Sequence, residues 1–300
     1  GARNAIHLQR LKDKLGNRAN ASSEIELHGA WGRMVGEEGR GVRTIISMVN
    51  HTRLDCVIGA ASTMRQALAQ ATHHAAHRRA FGKDLVAQPL MQAVLADLAI
   101  ESEAATTLML RLARAYDQHD DPAEASFRRL ATAVAKYWVC KRTPAMVVEA
   151  LECLGGNGYV EESIMPRLFR ESPLNGIWEG SGNVICLDVL RAIVKEPGTL
   201  DAFRSELAVA SGLDARYDSF VASIDTEMGD PATIEARARR LVERMALALQ
   251  GCLLLRHAHP ALAEAFVATR LDRDWGGAFG TLPSGMDTPT IVERATPKVA

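Results

Sequence analysis

The sequence predicts a mostly α-helical protein built around a four-helix bundle, with a small β segment before the bundle and a further helical unit after it. Apolar residues recur every three or four positions over long stretches, which is the spacing of one helix face. Short connections rich in Gly, Pro and Asp separate these stretches, and long helices joined by short connections favour a bundle. With 300 residues, 47% of them hydrophobic, the chain can bury a sizeable core.

Residues 1–40 precede the helical pattern and contain two short segments, around Ile6 and Ile25, in which apolar and polar residues alternate. A period of two is typical of β-strands that have one buried face. The sequence therefore predicts that residues 1–40 are the remnant of a β-domain.

Four long helices are predicted within residues 41–196, namely Val42 to about Arg79, Pro89 to Tyr116, Ala123 to Leu154, and Gly182 to a stop at Pro197-Gly198. Residues 197–275 form an additional helical unit, with segments Asp201–Ala210, Asp214–Glu227, Pro231–Leu255 and Pro260–Leu271. The periodicity disappears after Trp275, so we expect residues 276–300 to form an irregular tail.

Bulk composition excludes several classes of protein. The chain has 35 basic and 36 acidic residues, so no global field attracts it to nucleic acid or to an anionic membrane. Its five cysteines are odd in number and scattered without metal-type spacing, which predicts reduced thiols, no metal site and a cytoplasmic protein. No apolar run approaches the roughly 20 residues that span a bilayer, so no membrane association is expected.

The most informative stretch lies between the third and fourth predicted helices. Gly155, Gly156 and Gly158 would let backbone N–H groups approach a bound phosphate closely, although a glycine-rich helix stop is the alternative interpretation. Glu179 follows two bulky residues and precedes Gly180, so its carboxylate can point into a cavity and act as a general base. Capping of the next helix is the alternative role for this carboxylate.

A second candidate region lies at the end of the first long helix, in the sequence from His77 to Lys83. Arg78 and Phe81 could hold a phosphate and stack on a base. In the alternative interpretation, the cations offset the helix dipole and Phe81 returns to the core.

The motifs R-x-x-F-G, G-G-x-G-Y, R-x-x-R-E-S-P and I-W-E-G-S-G-N occur in this order, and together they resemble the acyl-CoA dehydrogenase superfamily. The stretch from Arg167 to Asn183 and the additional helical unit resemble its AidB-type, alkylation-response branch. The resemblance covers nearly the whole chain. It implies the carboxyl-terminal helical bundle of that fold, with residues 1–40 as the remnant of the middle β-domain. A truncated chain is therefore expected.

The resemblance implies a FAD-dependent oxidoreductase in which Glu179 removes the α-proton of an acyl-CoA thioester while the β-hydride passes to the flavin. Some relatives carry a carboxylate immediately before the arginine that Arg53 matches, but Thr52 stands there in this chain. Glu179 is thus the only matched candidate for the base.

The resemblance also implies a set of cofactor-binding residues. Arg78 matches an arginine that contacts FAD phosphate, and Phe81 an aromatic residue beside the adenine. The remaining matches are the loop along the cofactor and two flavin-side positions: Gly155, Gly156, Gly158, Ser181 and Asn183. Because such groups often reach the FAD of a neighbouring subunit in the family, a homo-oligomer, specifically a dimer of dimers, is expected.

Two other functions stay open. The AidB-type resemblance implies DNA association during alkylation stress, with weak binding through the C-terminal helical unit, where Arg237, Arg240 and Arg244 share a helix face. Residues 201–300 contain 11 basic and 14 acidic residues, however, so a solvated surface is the simpler interpretation of this stripe. The third candidate is a helical assembly fragment without activity, whose bare faces seek partners.

Overall fold

A computed structural model describes residues 1–196, 198–229 and 231–298 of the chain. The predicted bundle is confirmed. Its first three helices are α1 (Gly41–His77), α2 (Pro89–Asp117) and α3 (Pro122–Glu152). Two short helices follow, α4 (Gly156–Tyr159) and α5 (Met165–Glu171), and α6 (Gly182–Lys195) completes the bundle. The predicted stop at Pro197 lies outside the described residues.

Helices α1 and α3 run in the same direction across the bundle. The Tyr116 hydroxyl of α2 donates to the Asn50 carbonyl at 2.9 Å and lies 3.3 Å from the Thr132 hydroxyl. Further along, the Cys140 thiol donates to the Cys56 carbonyl at 3.5 Å. Early residues of α1 are therefore level with early residues of α3, and the two helices end at the same end of the bundle.

The segment before the bundle forms the predicted strands, β1 (Ile6–Leu11) and β2 (Ser23–Leu27), which pair antiparallel. Apolar side chains on both strands are exposed, including Leu8 and Ile25. The small sheet therefore covers little of the helical core.

The additional helical unit is also confirmed. It comprises α7 (Gly198–Ala208), α8 (Ala215–Met228), α9 (Ala238–His257) and α10 (Pro260–Phe266), which continues into a π-helical turn at Val267–Leu271. Helix α9 packs on α2, α3 and α6, so the unit is joined to the bundle through a common core. Glu206 of α7 adds ion pairs to Arg111 at 2.8 Å and to Arg256 at 3.1 Å.

Two expectations at the carboxyl-terminal end were wrong. The helix predicted from Pro231 begins at Ala238, and the residues before it form turns. The predicted irregular tail contains a helix, α11 (Thr288–Ala295), which packs against α2. It forms because the Asp287 side chain caps the Thr290 N–H at 3.2 Å, while Ile291 and Val292 are buried. Residues 299 and 300 of that tail lie outside the described residues, and the boundaries at 40, 196 and 275 stay predictions.

The five cysteines are all buried and unpaired. Over residues 1–196, 198–229 and 231–298, no group of three His, Cys, Asp or Glu side chains could hold a metal ion. In the same ranges, no helix combines the length and apolar character that crossing a membrane requires.

Candidate functional site

Glu179 lies in a strained turn that leads into α6. Its φ is +58°, and Gly180 follows with a φ of +113°. The left-handed region costs a residue with a Cβ about 1–2 kcal/mol, so Glu179 is held there by its surroundings. At the φ of Gly180 a residue with a Cβ would be strained, and a Cβ on Gly180 would also lie 2.9 Å from Ile185 Cδ1, so glycine is favoured at the position after Glu179. The turn leaves the Glu179 side chain half-buried.

Two basic side chains hold this turn by its backbone carbonyls. Arg53 of α1 donates from Nε to the Glu179 carbonyl at 3.2 Å, and Lys136 of α3 donates from Nζ to the Gly180 carbonyl. Asp188 of α6 fixes Arg53 in turn through an ion pair of 2.7 Å. Three helices of the bundle therefore determine the position of Glu179.

Lys136 gives the turn an unusual electrostatic environment because it is only 1% exposed. Burial lowers the pKa of Lys136, and the negative charge of Glu179 acts against that shift. Burial raises the pKa of Cys56, and that of Cys140 to about 12, so both neighbouring thiols stay protonated. No described residue donates a hydrogen bond to the Glu179 carboxylate.

Asp188 connects the charged groups around the turn. Burial acts to raise the pKa of Asp188, but Arg129 and Arg53 outweigh it, so the pKa lies below its ordinary value. Arg129 contacts the same carboxylate at 3.3 Å. Asp188 therefore stays ionised and keeps Arg53 in place.

The glycine-rich turn closes the end of α3. Gly155 has a φ of +58°, and a Cβ added to Gly155 or Gly156 would meet open space. Gly158 differs, because its added Cβ would collide with the Leu151 carbonyl. Gly155 and Gly156 thus present an open backbone surface, whereas Gly158 lets the turn pack against α3.

Arg78 and Phe81 lie at a hairpin that follows α1, formed by β3 (Arg79–Ala80) and β4 (Lys83–Asp84). Phe81 and Gly82 form its two-residue turn with φ values of +53° and +85°. Phe81 is 96% exposed, so the alternative in which its ring returns to the core is wrong. The exposed Arg78 side chain lies at the base of the hairpin.

The structure divides the predicted site residues between two regions. Arg78 and the Gly155 turn share one end of the bundle, because α1 and α3 are parallel. Arg53, which contacts Glu179, lies 25 positions before Arg78 on α1, or about 38 Å at 1.5 Å per residue. Glu179 is therefore far from the Arg78 corner of the same chain.

The two positions after Glu179 begin α6. Ser181 is the N-cap residue, and its exposed hydroxyl makes no capping hydrogen bond. Asn183 is exposed and borders a shallow cavity that Glu235 and Arg239 also line. Both side chains are thus available to a bound molecule beside the Glu179 turn.

Lys136, Arg53 and Asp188 were not among the predicted site residues. Lys136 had a detectable signal, because it is a single cation inside the otherwise apolar run from Ala133 to Val139. Arg53 and Asp188 lie 135 positions apart, so only the folded bundle shows that they form a pair.

The arginine stripe considered for DNA is not a free cationic face. Arg237 and Arg240 both pair with Glu227, at 3.1 and 2.7 Å. Arg244 is buried and lies 4.4 Å from the centre of the Phe220 ring. The three side chains therefore do not present a common row of exposed charges.

Comparisons with known proteins match the chain to acyl-CoA dehydrogenases. Residues 39–194 match the family model described as the C-terminal domain of acyl-CoA dehydrogenase. The chain is 45% identical over 276 residues to AidB of Escherichia coli (strain K12), covering 92% of this chain and 51% of AidB. It is 31% identical over 295 residues to acyl-CoA dehydrogenase family member 11 of Caenorhabditis elegans, covering 91% of this chain and 47% of that protein.

A solved structure is similar over the same extent. The structure of Caenorhabditis elegans ACDH-11 in complex with C11-CoA superposes with a TM-score of 0.80 at 28% identity, covering 89% of this chain and 50% of that chain. The chain thus spans about half the length of the curated relatives it matches.

Proposed function

Because the chain belongs to the acyl-CoA dehydrogenase family and contains its C-terminal domain, we propose that it serves a FAD-dependent dehydrogenase of acyl-CoA thioesters. The AidB-type resemblance predicted from the motifs is confirmed by the similarity to AidB. The observation that carries the proposal is the Glu179 turn, in which a residue with a Cβ is held in a strained conformation by Arg53 and Lys136.

In this proposal, Glu179 is the catalytic base. Its carboxylate removes the α-proton of the thioester, while Lys136 holds the carbonyl of the adjacent Gly180. When bound, FAD supplies the acceptor for the hydride that leaves the β-carbon, so that a carbon–carbon double bond remains in the product. Because Arg53 and Lys136 donate hydrogen bonds to the two backbone carbonyls of the turn, the Glu179 carboxylate keeps one position. It therefore stays aligned with the α-carbon of the bound substrate.

The groups at the end of the bundle fit the phosphate and adenine end of FAD. Gly155 and Gly156 leave open space above their backbone, which lets a phosphate approach. Arg78, at the same end of the bundle, supplies a fixed positive charge, and the exposed Phe81 ring supplies a surface for a base. Gly158 supports this turn from within.

Two further residues are assigned to the flavin side. Ser181 and Asn183 project from the first turn of α6 beside Glu179, where a hydroxyl and an amide can bond polar ring atoms.

The separation of about 38 Å along α1 supports an arrangement in which the two regions serve different cofactors. We propose that Arg78 and Phe81 of one copy hold the FAD that faces Glu179 of a second copy. A homo-oligomer follows from this arrangement, because neither half-site is complete alone. The high exposure of Phe81 supports a homo-oligomer, since burying an exposed aromatic ring against a second copy is favourable.

The proposal is tested with purified protein, by measuring bound FAD and its bleaching by saturated acyl-CoA under anaerobic conditions. Glu179→Gln is expected to retain FAD and to lose bleaching at least a hundredfold in rate, because the amide cannot take the proton. The matched control Glu162→Gln changes an exposed carboxylate on the same connecting stretch and keeps the wild-type rate. A colourless protein, or bleaching by Glu179→Gln at the wild-type rate, contradicts the proposal.

The cofactor half-site is tested separately. Phe81→Ala and Arg78→Gln are expected to lower FAD content and to shift the protein toward smaller species in sedimentation. Retention of full FAD content by a monomeric species of either variant would show that one copy holds the cofactor alone.

A further inference from the structure

A second concave site lies where α9 and the π-helical turn meet the bundle. It is a half-open cavity of about 440 Å³, which is within the range of small-molecule sites. Helices α3, α8 and α9 contribute to its wall, together with Trp275. None of the residues proposed above for FAD or for proton abstraction lines it, so its contents are independent of the proposed function.

Arginine dominates the wall of this cavity, with six arginines against two glutamates. Half of the arginines are paired: Arg142 with Glu101, Arg240 with Glu227, and Arg270 with Asp97 and Glu101. The other half, which are Arg239, Arg244 and Arg273, have no carboxylate within ion-pair distance in the part of the chain that the structure describes. The cavity therefore carries excess positive charge.

Two of these arginines are buried with unused donors. Arg244 and Arg270 are each 7% exposed, and the Nε–H of each has no hydrogen-bond partner among the described residues. An unpaired buried donor costs about 1–3 kcal/mol, so both guanidinium groups are incompletely satisfied by the protein itself. Burial lowers the pKa of Arg244, and the nearby cations Arg273 and Arg240 lower it further. A bound anion would oppose both effects.

The cavity wall also contains tryptophan rings, which lie close to the planar guanidinium groups. The Arg270 guanidinium carbon lies 4.5 Å from the centre of the Trp275 ring, and that of Arg142 lies 5.2 Å from it. Trp138 also lines the cavity. Indole and guanidinium faces together are suited to a planar ring that carries an anion.

We propose that this cavity binds a small phosphorylated molecule of nucleotide size. Three guanidinium groups without a carboxylate match a phosphate monoester, which carries nearly two negative charges, better than the single charge of a carboxylate. Arg244 and Arg270 line the cavity but are each only 7% exposed, so the backbone of a nucleic-acid duplex would have little access to them.

Isothermal titration of the whole chain with AMP, inorganic pyrophosphate and adenosine tests the proposal. AMP and pyrophosphate are expected to bind at one site per chain, and adenosine is expected not to bind. Arg273→Gln removes an exposed cation from the rim and should weaken AMP binding about tenfold, the usual effect of losing one charge-assisted hydrogen bond. Arg244→Gln should weaken it further, with circular dichroism reporting whether that variant folds.

Two control variants make the outcome specific. Arg65→Gln removes an exposed arginine of α1 and should leave AMP affinity unchanged. Arg78→Gln should also leave it unchanged, which separates this cavity from the adenine end of the proposed FAD site. The proposal is overturned if neither anion binds, if Arg273→Gln binds AMP as tightly as the wild type, or if Arg78→Gln abolishes binding. Binding of duplex DNA without binding of AMP would also overturn it.

Discussion

The Glu179→Gly variant is expected to be more stable toward unfolding than the Glu179→Ala variant. At a φ of +58°, alanine retains a left-handed penalty of about 1–2 kcal/mol that glycine does not have. Glycine loses about 0.5–1 kcal/mol through its greater freedom in the unfolded chain. The net expectation is that Glu179→Gly exceeds Glu179→Ala in the free energy of unfolding by about 0.5–1 kcal/mol, or roughly 2 °C in melting temperature. Both variants lose the carboxylate equally.

Denaturant unfolding of the two variants measures this difference in stability. A second pair of variants, at an ordinary helical position, serves as the control. Arg65 lies exposed inside α1, where Arg65→Gly should be less stable than Arg65→Ala by about 1 kcal/mol. The order of glycine and alanine is therefore reversed between the two positions. The same order at both positions would refute the strained turn, and with it the inference that Arg53 and Lys136 hold Glu179 against a conformational cost.

Three further predictions follow from the buried charges. Lys136→Met removes the donor to the Gly180 carbonyl and should slow flavin bleaching by acyl-CoA about tenfold in stopped-flow measurements. Its unfolding free energy should change by less than about 1 kcal/mol, since the desolvation of the cation is also removed. An unchanged bleaching rate would contradict the inference that Lys136 helps to position Glu179. Asp97→Ala removes one of the two carboxylates that pair with the buried Arg270, together with the acceptor of the Trp275 Nε1–H and Gly280 N–H groups. It should destabilise the chain by about 3–5 kcal/mol in chemical denaturation, whereas a loss below about 1 kcal/mol would exclude a buried network. Because the pKa of Asp188 is lowered in the fold, its stabilisation is present above the unfolded value of about 3.9 and is lost as pH falls through the folded value. Denaturation between pH 2 and 7 should show that Asp188→Asn is less stable than the wild type above pH 5 and that the difference shrinks below pH 4; a pH-independent difference would contradict this linkage.

Helical periodicity predicted most of the fold because the long helices bury one face. In α1, Val57, Met64 and Leu68 repeat at helical spacing and are all buried. The same reasoning failed at α11, which has only eight residues and too few apolar positions to show a period. Its capping residue Asp287 was the usable signal.

The site was predictable only in part, because its motifs are local and its supports are distant in sequence. Glu179 and Phe81 stand in recognisable motifs, so their positions could be matched without a structure. The backbone strain of Glu179 depends on contacts that span the chain, such as that of Arg53 with the Glu179 carbonyl. The positive φ of Phe81, in contrast, arises in a local two-residue hairpin turn. The arginine cavity has no motif, because α3, α9 and the residues near Arg270 supply its cations separately.

Each of the three proposed sites contains a residue other than glycine with a positive φ. In the described chain, the residues other than glycine with positive φ are Asn17, Phe81, Glu179 and Arg273. Asn17 needs no special explanation, since asparagine tolerates this conformation through local hydrogen bonds. A long or aromatic side chain has no such compensation and persists there only when the fold imposes the conformation, as the two-residue hairpin turn does at Phe81. Phe81 occupies the proposed adenine corner, Glu179 the proposed base position and Arg273 the rim of the arginine cavity. Each would be more stable as glycine, and each would then lose the group that its proposed ligand contacts.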